Sequence, residues 1–167
     1  MHDFCGTCRR CIDACPTQAL IDERKLDARK CISYLTIESK QVDSIDLRQQ
    51  SLDWLFGCDI CQTVCPWNLK VHGKGAFQHD PLAQRKKLVE ELNWILTTSN
   101  KEIDRTLLVS PLARAGGRGL KRNALVVIAN LKLTECLEAV NKLCEHERLG
   151  SLARQTVKTL VEENVEH

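Results

Sequence analysis

Apolar positions in the second half of the chain recur at helical spacing, and their stripes predict a series of short helices. Leu82, Leu88, Leu92, Ile95 and Leu96 form the first stripe. Ser99-x-x-Glu102 has the form of a capping box, in which the hydroxyl and the acid satisfy amides that a helix start leaves open, so it predicts a second short helix. Leu120, Ala124, Val127, Ile128 and Leu131 mark a third, and the segment from Thr134 to about His146 a fourth. Ser151 is expected to cap a fifth that carries Leu152, Val157, Leu160 and Val161.

Helices this short cannot hide an apolar stripe alone, so they are expected to stack in antiparallel pairs, as HEAT-type repeats do. Before residue 70 the periodicity disappears and short elements between cysteines take its place. The stretch from Lys70 to Pro81, with two glycines and a proline, reads as a connector. The expected organisation is a cysteine-rich domain over 1–69, a linker over 70–81 and a helical domain over 82–167.

Seven of the ten cysteines fall in two blocks, Cys5-x2-Cys8-x2-Cys11-x3-Cys15-Pro16 and Cys58-x2-Cys61-x3-Cys65-Pro66, with Cys31 between them. A four-iron cubane needs four thiolates from different directions. A Cys-x2-Cys-x2-Cys turn supplies three and leaves one corner for a distant cysteine. In two-cluster ferredoxins the cysteine before the proline serves the other cluster. That crossover allots Cys5, Cys8, Cys11 and Cys65 to one 4Fe-4S cluster, and Cys58, Cys61, Cys15 and Cys31 to the other. The expected fold is therefore mostly α, a ferredoxin-like two-cluster domain followed by HEAT-like helical repeats. Zinc also takes Cys-x2-Cys pairs, and two closed zinc tetrads are the competing reading. Disulfides are the weaker one, since no charged-then-apolar signal segment stands before Cys5. Cys136 and Cys144 lie in a helical pattern with Leu133, Leu137, Val140 and Leu143, where free cysteine packs as a small hydrophobe.

Hydrophobic residues at 43% and charged residues at 28% are ordinary for a globular chain and give no sign of disorder. A net charge of +2 names no partner. The longest apolar run, around Ala124 to Ala129, is far short of the roughly 20 residues of a membrane span, and the expected location is the cytoplasm. Charge is nonetheless uneven. Arg105, Arg114, Arg118, Lys121 and Arg122 share a stretch with no Asp or Glu, which makes Arg114, Arg118, Lys121 and Arg122 candidate phosphate contacts. Gly116, Gly117 and Gly119 either bring the backbone close to a ligand or make the turn between helices. A solvated surface is the alternative.

Three runs carry a resemblance: Cys5-Gly6-Thr7-Cys8 through Cys15-Pro16-Thr17-Gln18-Ala19-Leu20; Leu26-Asp27-Ala28-Arg29-Lys30-Cys31-Ile32-Ser33-Tyr34-Leu35-Thr36-Ile37-Glu38; and Phe56-Gly57-Cys58-Asp59 to Cys65-Pro66-Trp67-Asn68. Together they resemble the epoxyqueuosine reductase family, and Ser110-Pro111 to Arg122-Asn123 looks like that family's basic segment before a helix. The resemblance implies an oxidoreductase that uses cobalamin and two 4Fe-4S clusters to reduce an epoxide on a modified tRNA base, the last step of queuosine biosynthesis. It implies the same eight ligands as the crossover, tRNA contact by the basic stretch, and Ser33 and Asp59 as corrinoid-facing positions.

Two departures qualify what the resemblance implies. The family's N-terminal domain, which supplies most of the corrinoid pocket and the acidic proton donor, has no counterpart before Cys5. The chain alone is expected not to catalyse the reduction: it reads as the C-terminal half of a split or truncated enzyme, or as what a misplaced start codon leaves, and its expected partners are tRNA, an electron donor and, for a split enzyme, a separate cobalamin-domain chain. Gly116-Gly117 stands where the family tends to be more basic. A stand-alone two-cluster electron carrier and an RNA-binding module are the other functional classes.

Overall fold

The computed structural model describes residues 5–40, 50–68 and 81–162. The linker expected over 70–81 lies outside the described residues except for Pro81, which opens a helix.

The cysteine-rich part is built from two copies of one small turn. Helix α1 (Arg10–Asp13) and helix α2 (Ile60–Thr63) are single turns that pack against each other. Their backbone hydrogen bonds correspond one for one. Ile12 and Asp13 donate to the Arg9 carbonyl as Gln62 and Thr63 donate to that of Asp59, and Cys15 closes on Ile12 as Cys65 closes on Gln62, both at 3.2 Å. The copies reflect the sequence, in which Cys8, Cys11, Cys15 and Pro16 recur as Cys58, Cys61, Cys65 and Pro66. Proline lacks the amide that would continue a helix, so each turn ends there.

Between the copies runs an antiparallel hairpin, β1 (Leu20–Asp22) and β2 (Lys25–Leu26), with Leu20 opposite Leu26 and Asp22 opposite Lys25. A 3-10 turn (Ala28–Lys30) follows, started by the Asp27 carboxylate, which accepts from the Arg29 amide and holds the Arg29 guanidinium at 2.9 and 3.0 Å. Next comes a π-turn (Tyr34–Glu38), closed by the Ser39 amide on the Tyr34 carbonyl. Leu35 and Thr36 within it are buried.

The helical part contains α3 (Pro81–Thr97), α4 (Asn100–Thr106), a 3-10 turn (Pro111–Arg114), α5 (Gly116–Asn130), a 3-10 turn (Thr134–Cys136), α6 (Leu137–Asn141) and α7 (Gly150–Glu162). The Ser99 hydroxyl accepts from the Glu102 amide as the capping pattern predicts. Helix α5 is the centre. It packs on α3, α4 and α7, and every residue from Leu120 to Ile128 is buried. A helix covered on all sides is ordinarily apolar all round; here Lys121, Arg122 and Asn123 are interior as well, and Arg122 and Asn123 are held there by hydrogen bonds. Gly117 explains how α5 reaches α4. A Cβ there would stand 2.8 Å from both the Cα and the carbonyl oxygen of Asn100. Its amide donates to Asp104 Oδ1 at 2.6 Å, so a carboxylate from α4 caps the start of α5.

Three expectations are corrected. Ser151 lies inside the first turn of α7, not before it; the imidazole Nδ1 of His146 accepts from the Arg148 and Leu149 amides at 3.2 and 3.3 Å and fixes the entry instead. The fourth stripe is a 3-10 turn followed by a short helix, α6, not one continuous helix. Leu82 and Val161 are exposed, at 77% and 45%. Cys136 is fully buried in the core and Cys144 packs beside it, as expected for small hydrophobes.

Candidate metal centre and adjoining basic groove

Four cysteines from three separate stretches come together as electrostatic neighbours. Burial raises the Cys58 thiol above its ordinary range, and the nearby sulfurs of Cys61, Cys31 and Cys15 push the same way while the Ile60 amide opposes. Cys61 is likewise raised by burial, with Cys31 and Cys11 adding to it. Cys15, across the α1–α2 contact, is thus near enough to Cys58 to act on its ionisation alongside Cys61 and Cys31.

Cys15 itself behaves differently. Burial pulls its thiol up, but hydrogen bonds from the backbone of Leu20, Ala19 and Thr17 and from the Thr17 hydroxyl outweigh it, leaving the group below its ordinary value. The Ala19 amide stands 3.3 Å from the sulfur. Donors aimed at sulfur favour thiolate, the form that binds iron, and such bonds tune cluster potential.

Cys5 is exposed, and Cys8, Cys11 and Cys65 are half-buried. The Cys8 amide closes a turn on the Cys5 carbonyl, with Gly6 at φ +52°, a conformation that favours glycine. Among the described residues no group of three or more His, Cys, Asp or Glu converges to hold a single metal ion. A cubane takes one thiolate at each of four irons, so its ligands stand apart at corners rather than within the roughly 2.3 Å of one zinc.

Ser33 and Asp59 both lie beside Cys58. The Ser33 hydroxyl donates to the Cys58 carbonyl at 3.3 Å. Asp59 is exposed, and its carbonyl starts helix α2.

The basic stretch divides. Arg114 and Arg118 are exposed in a groove of about 450 Å³ that Lys40, Arg122, His146 and Arg148 also line, together with the acids Glu38, Asp104 and Glu147. Arg114 pairs with Glu38 across it. Lys121 is not part of the groove; it is 8% exposed, and burial lowers its amine below the ordinary value. Arg122 is 3% exposed and turned inward. It donates to the Ser39 carbonyl, to that of Leu35 at 2.8 Å and to Asn123 Oδ1. Reading Arg122 as a phosphate contact is thus corrected: its hydrogens are directed at the π-turn. Asn123, which no motif in the sequence singles out, donates to the Thr36 and Leu55 carbonyls beside it. Its signal was the polar Lys-Arg-Asn insertion between Leu120 and Ala124 in an otherwise apolar helix.

Cys136 provides a chemical check on this division of the thiols. Burial, helped by Glu135, pushes it up to about 11, so at pH 8 only about a thousandth of it is thiolate. In the cluster-free protein, native alkylation followed by peptide mapping should label Cys15 ahead of Cys58 and leave Cys136 unlabelled until the chain is unfolded.

Residues 4–68 match a family described as a 4Fe-4S double cluster binding domain. The chain is 46% identical over 124 residues to an epoxyqueuosine reductase of Cyclobacterium marinum, covering 72% of this chain and 37% of that protein. It is 38% identical over 153 residues to one of Xanthomonas campestris, covering 92% and 42%. Among solved structures, an epoxyqueuosine reductase from Bacillus subtilis superposes with a TM-score of 0.77 at 29% identity over 96% of this chain and 43% of that one. An epoxyqueuosine reductase with an epoxyqueuosine-modified tRNA-Tyr stem loop gives 0.77 at 31% identity with the same coverage. The chain spans about two fifths of the length of these relatives.

Proposed function

The chain belongs to the epoxyqueuosine reductase family, and on that basis we propose that it is the electron-transfer and tRNA-holding portion of an enzyme that reduces epoxyqueuosine to queuosine in tRNA. One observation supports the reading: Cys15, although it belongs to the other block, acts on the ionisation of Cys58 together with Cys61 and Cys31. That arrangement suits two interleaved 4Fe-4S clusters.

Cys5, Cys8, Cys11 and Cys65 would hold one cluster, and Cys15, Cys31, Cys58 and Cys61 the other. When bound, the clusters supply one-electron transfer and cobalamin the reducing centre, with potentials set by the protein. The chain's own part is geometric. Cys11 of one set lies close enough to Cys61 of the other to influence its ionisation, so the two sets adjoin. Ser33 tethers the Cys58 loop, and Ser33 with Asp59 would border the corrinoid. Arg114 and Arg118 offer the groove to tRNA phosphates, in line with the stem loop bound by the related reductase. No helix among the described residues is long and apolar enough to cross a membrane, and the proposed location is the cytoplasm.

Anaerobic reconstitution tests this. The expected protein carries about eight irons, as two four-iron clusters, and binds tRNA with an affinity that falls as salt rises. Tightly held zinc in place of iron would overturn the cluster reading. Eight irons with no tRNA affinity would leave a two-cluster electron carrier.

A further inference from the structure

We propose that Arg122 and Asn123 form a positioning clamp through which helix α5 sets the geometry of the second ligand set, Cys15, Cys31, Cys58 and Cys61. This rests on the reading that these four cysteines hold a cluster.

The pair sits at the junction of the two parts of the chain. Arg122 donates to the carbonyls of Leu35 and Ser39, one near each end of the π-turn. Asn123 Nδ2 donates to the carbonyls of Thr36 and Leu55 at 2.8 and 2.9 Å. Asn123 Oδ1 accepts from the Arg122 guanidinium at 2.9 and 3.1 Å, which fixes which way the amide points. Two adjacent side chains thereby hold two segments, one following Cys31 and the other leading into Cys58.

Each segment passes the constraint to its cysteine. The Leu35 amide donates to the Cys31 carbonyl at 2.9 Å, so the residue whose carbonyl Arg122 grips is one hydrogen bond from a ligand residue. Thr36, gripped by Asn123, accepts the Gly57 amide on its hydroxyl at 3.0 Å. Ser33 then donates to the Cys58 carbonyl. The connections close a ring from α5 through the π-turn to the Gly57–Cys58 loop and back to α5 through Leu55.

Adhesion between the two parts would not call for this chemistry. Burying a guanidinium is costly unless hydrogen bonds replace its hydration. Apolar side chains of similar volume would join the surfaces as firmly. What the polar pair adds is register, because backbone carbonyls accept only where their lone pairs point. The cysteines that this ring reaches are Cys31 and Cys58, both of the second set. The clamp therefore predicts an effect confined to one of two clusters.

The test uses the reconstituted chain with Asn123→Ala, Arg122→Met, Arg122→Lys and, from the opposite side, Thr36→Val. Readouts are the EPR spectra and midpoint potentials of the two clusters and the rate at which a chelator removes iron, with far-UV circular dichroism as the control for fold. In the first two variants and in Thr36→Val the second cluster should show an altered spectrum and potential. It should release its irons about tenfold or more faster, the scale on which residues supporting metal ligands act, while the first cluster is unchanged. Arg122→Lys should recover part of the effect. If Asn123→Ala or Arg122→Met fails to fold, Thr36→Val decides the matter, since it leaves α5 intact. Unchanged second-cluster properties, or equal damage to both clusters in a folded chain, would overturn the clamp. If Cys58→Ser removes no cluster from the parent, the ligand reading fails instead, and the two failures are thereby told apart.

Discussion

Cys15→Ser should destroy or convert the same cluster as Cys58→Ser, although Cys15 sits in the first cysteine block. The reason is geometric. The chain turns at Pro16 and Pro66, and α1 and α2 pack against each other, so the end of each block lies beside the other block. Cys15 lies near enough to Cys58 to raise its thiol, together with Cys61 and Cys31. Serine offers a harder, more basic oxygen in place of thiolate, and about half of the iron should be lost or reorganised in each variant. By the repeat that relates the blocks, Cys65→Ser should group with Cys5→Ser. EPR or Mössbauer spectra that resolve the two clusters decide the grouping. If Cys15→Ser groups with Cys5→Ser, each block builds its own site and the crossover is wrong.

Much of this arrangement could be read from the residues because periodicity and spacing are local signals. The stripes of Leu92, Ile95 and Leu96 and of Leu120, Ala124, Val127 and Ile128 became buried faces of α3 and α5. The capping box at Ser99 formed its leading hydrogen bond. The cysteine spacing allots Cys15 to a remote set, and the fold leaves it close enough to Cys58 to act on its ionisation. What failed was information that only tertiary packing carries. Ser151 has the right chemistry for a cap, but the chain arrives at α7 with His146 already accepting its leading amides. Arg122 and Lys121 are as basic in sequence as Arg114 and Arg118, and nothing in a charge count says which side of a helix is covered. The covering of α5 on all sides decided that, and it turned a supposed phosphate contact into a bond to the π-turn. The Gly116-Gly117 pair reads in sequence as ligand approach or as a turn between helices; Gly117 instead lets α5 come close to Asn100 of α4, a packing need that no local pattern shows.

The same division sharpens the second large effect, on tRNA. Replacing Arg114 and Arg118 together with alanine should weaken tRNA binding by about tenfold or more at physiological salt and flatten the salt dependence by roughly one unit for each lost phosphate contact. Both guanidiniums are exposed in the groove, and the Arg114 contact with Glu38 lies at the surface, where an ion pair contributes at most about 1 kcal/mol and yields readily to a phosphate. Lys121→Met supplies the contrast. Its amine is covered and absent from the groove, so the slope should stay at the parent value even though the formal charge also falls by one. Affinity against salt, measured on proteins of equal iron content, separates the cases. A slope that falls equally for Lys121→Met would mean that general basicity, not the groove, attracts the RNA. An unchanged slope in the double variant would leave Arg114 and Arg118 as solvated surface charge and place the tRNA contact elsewhere on the chain.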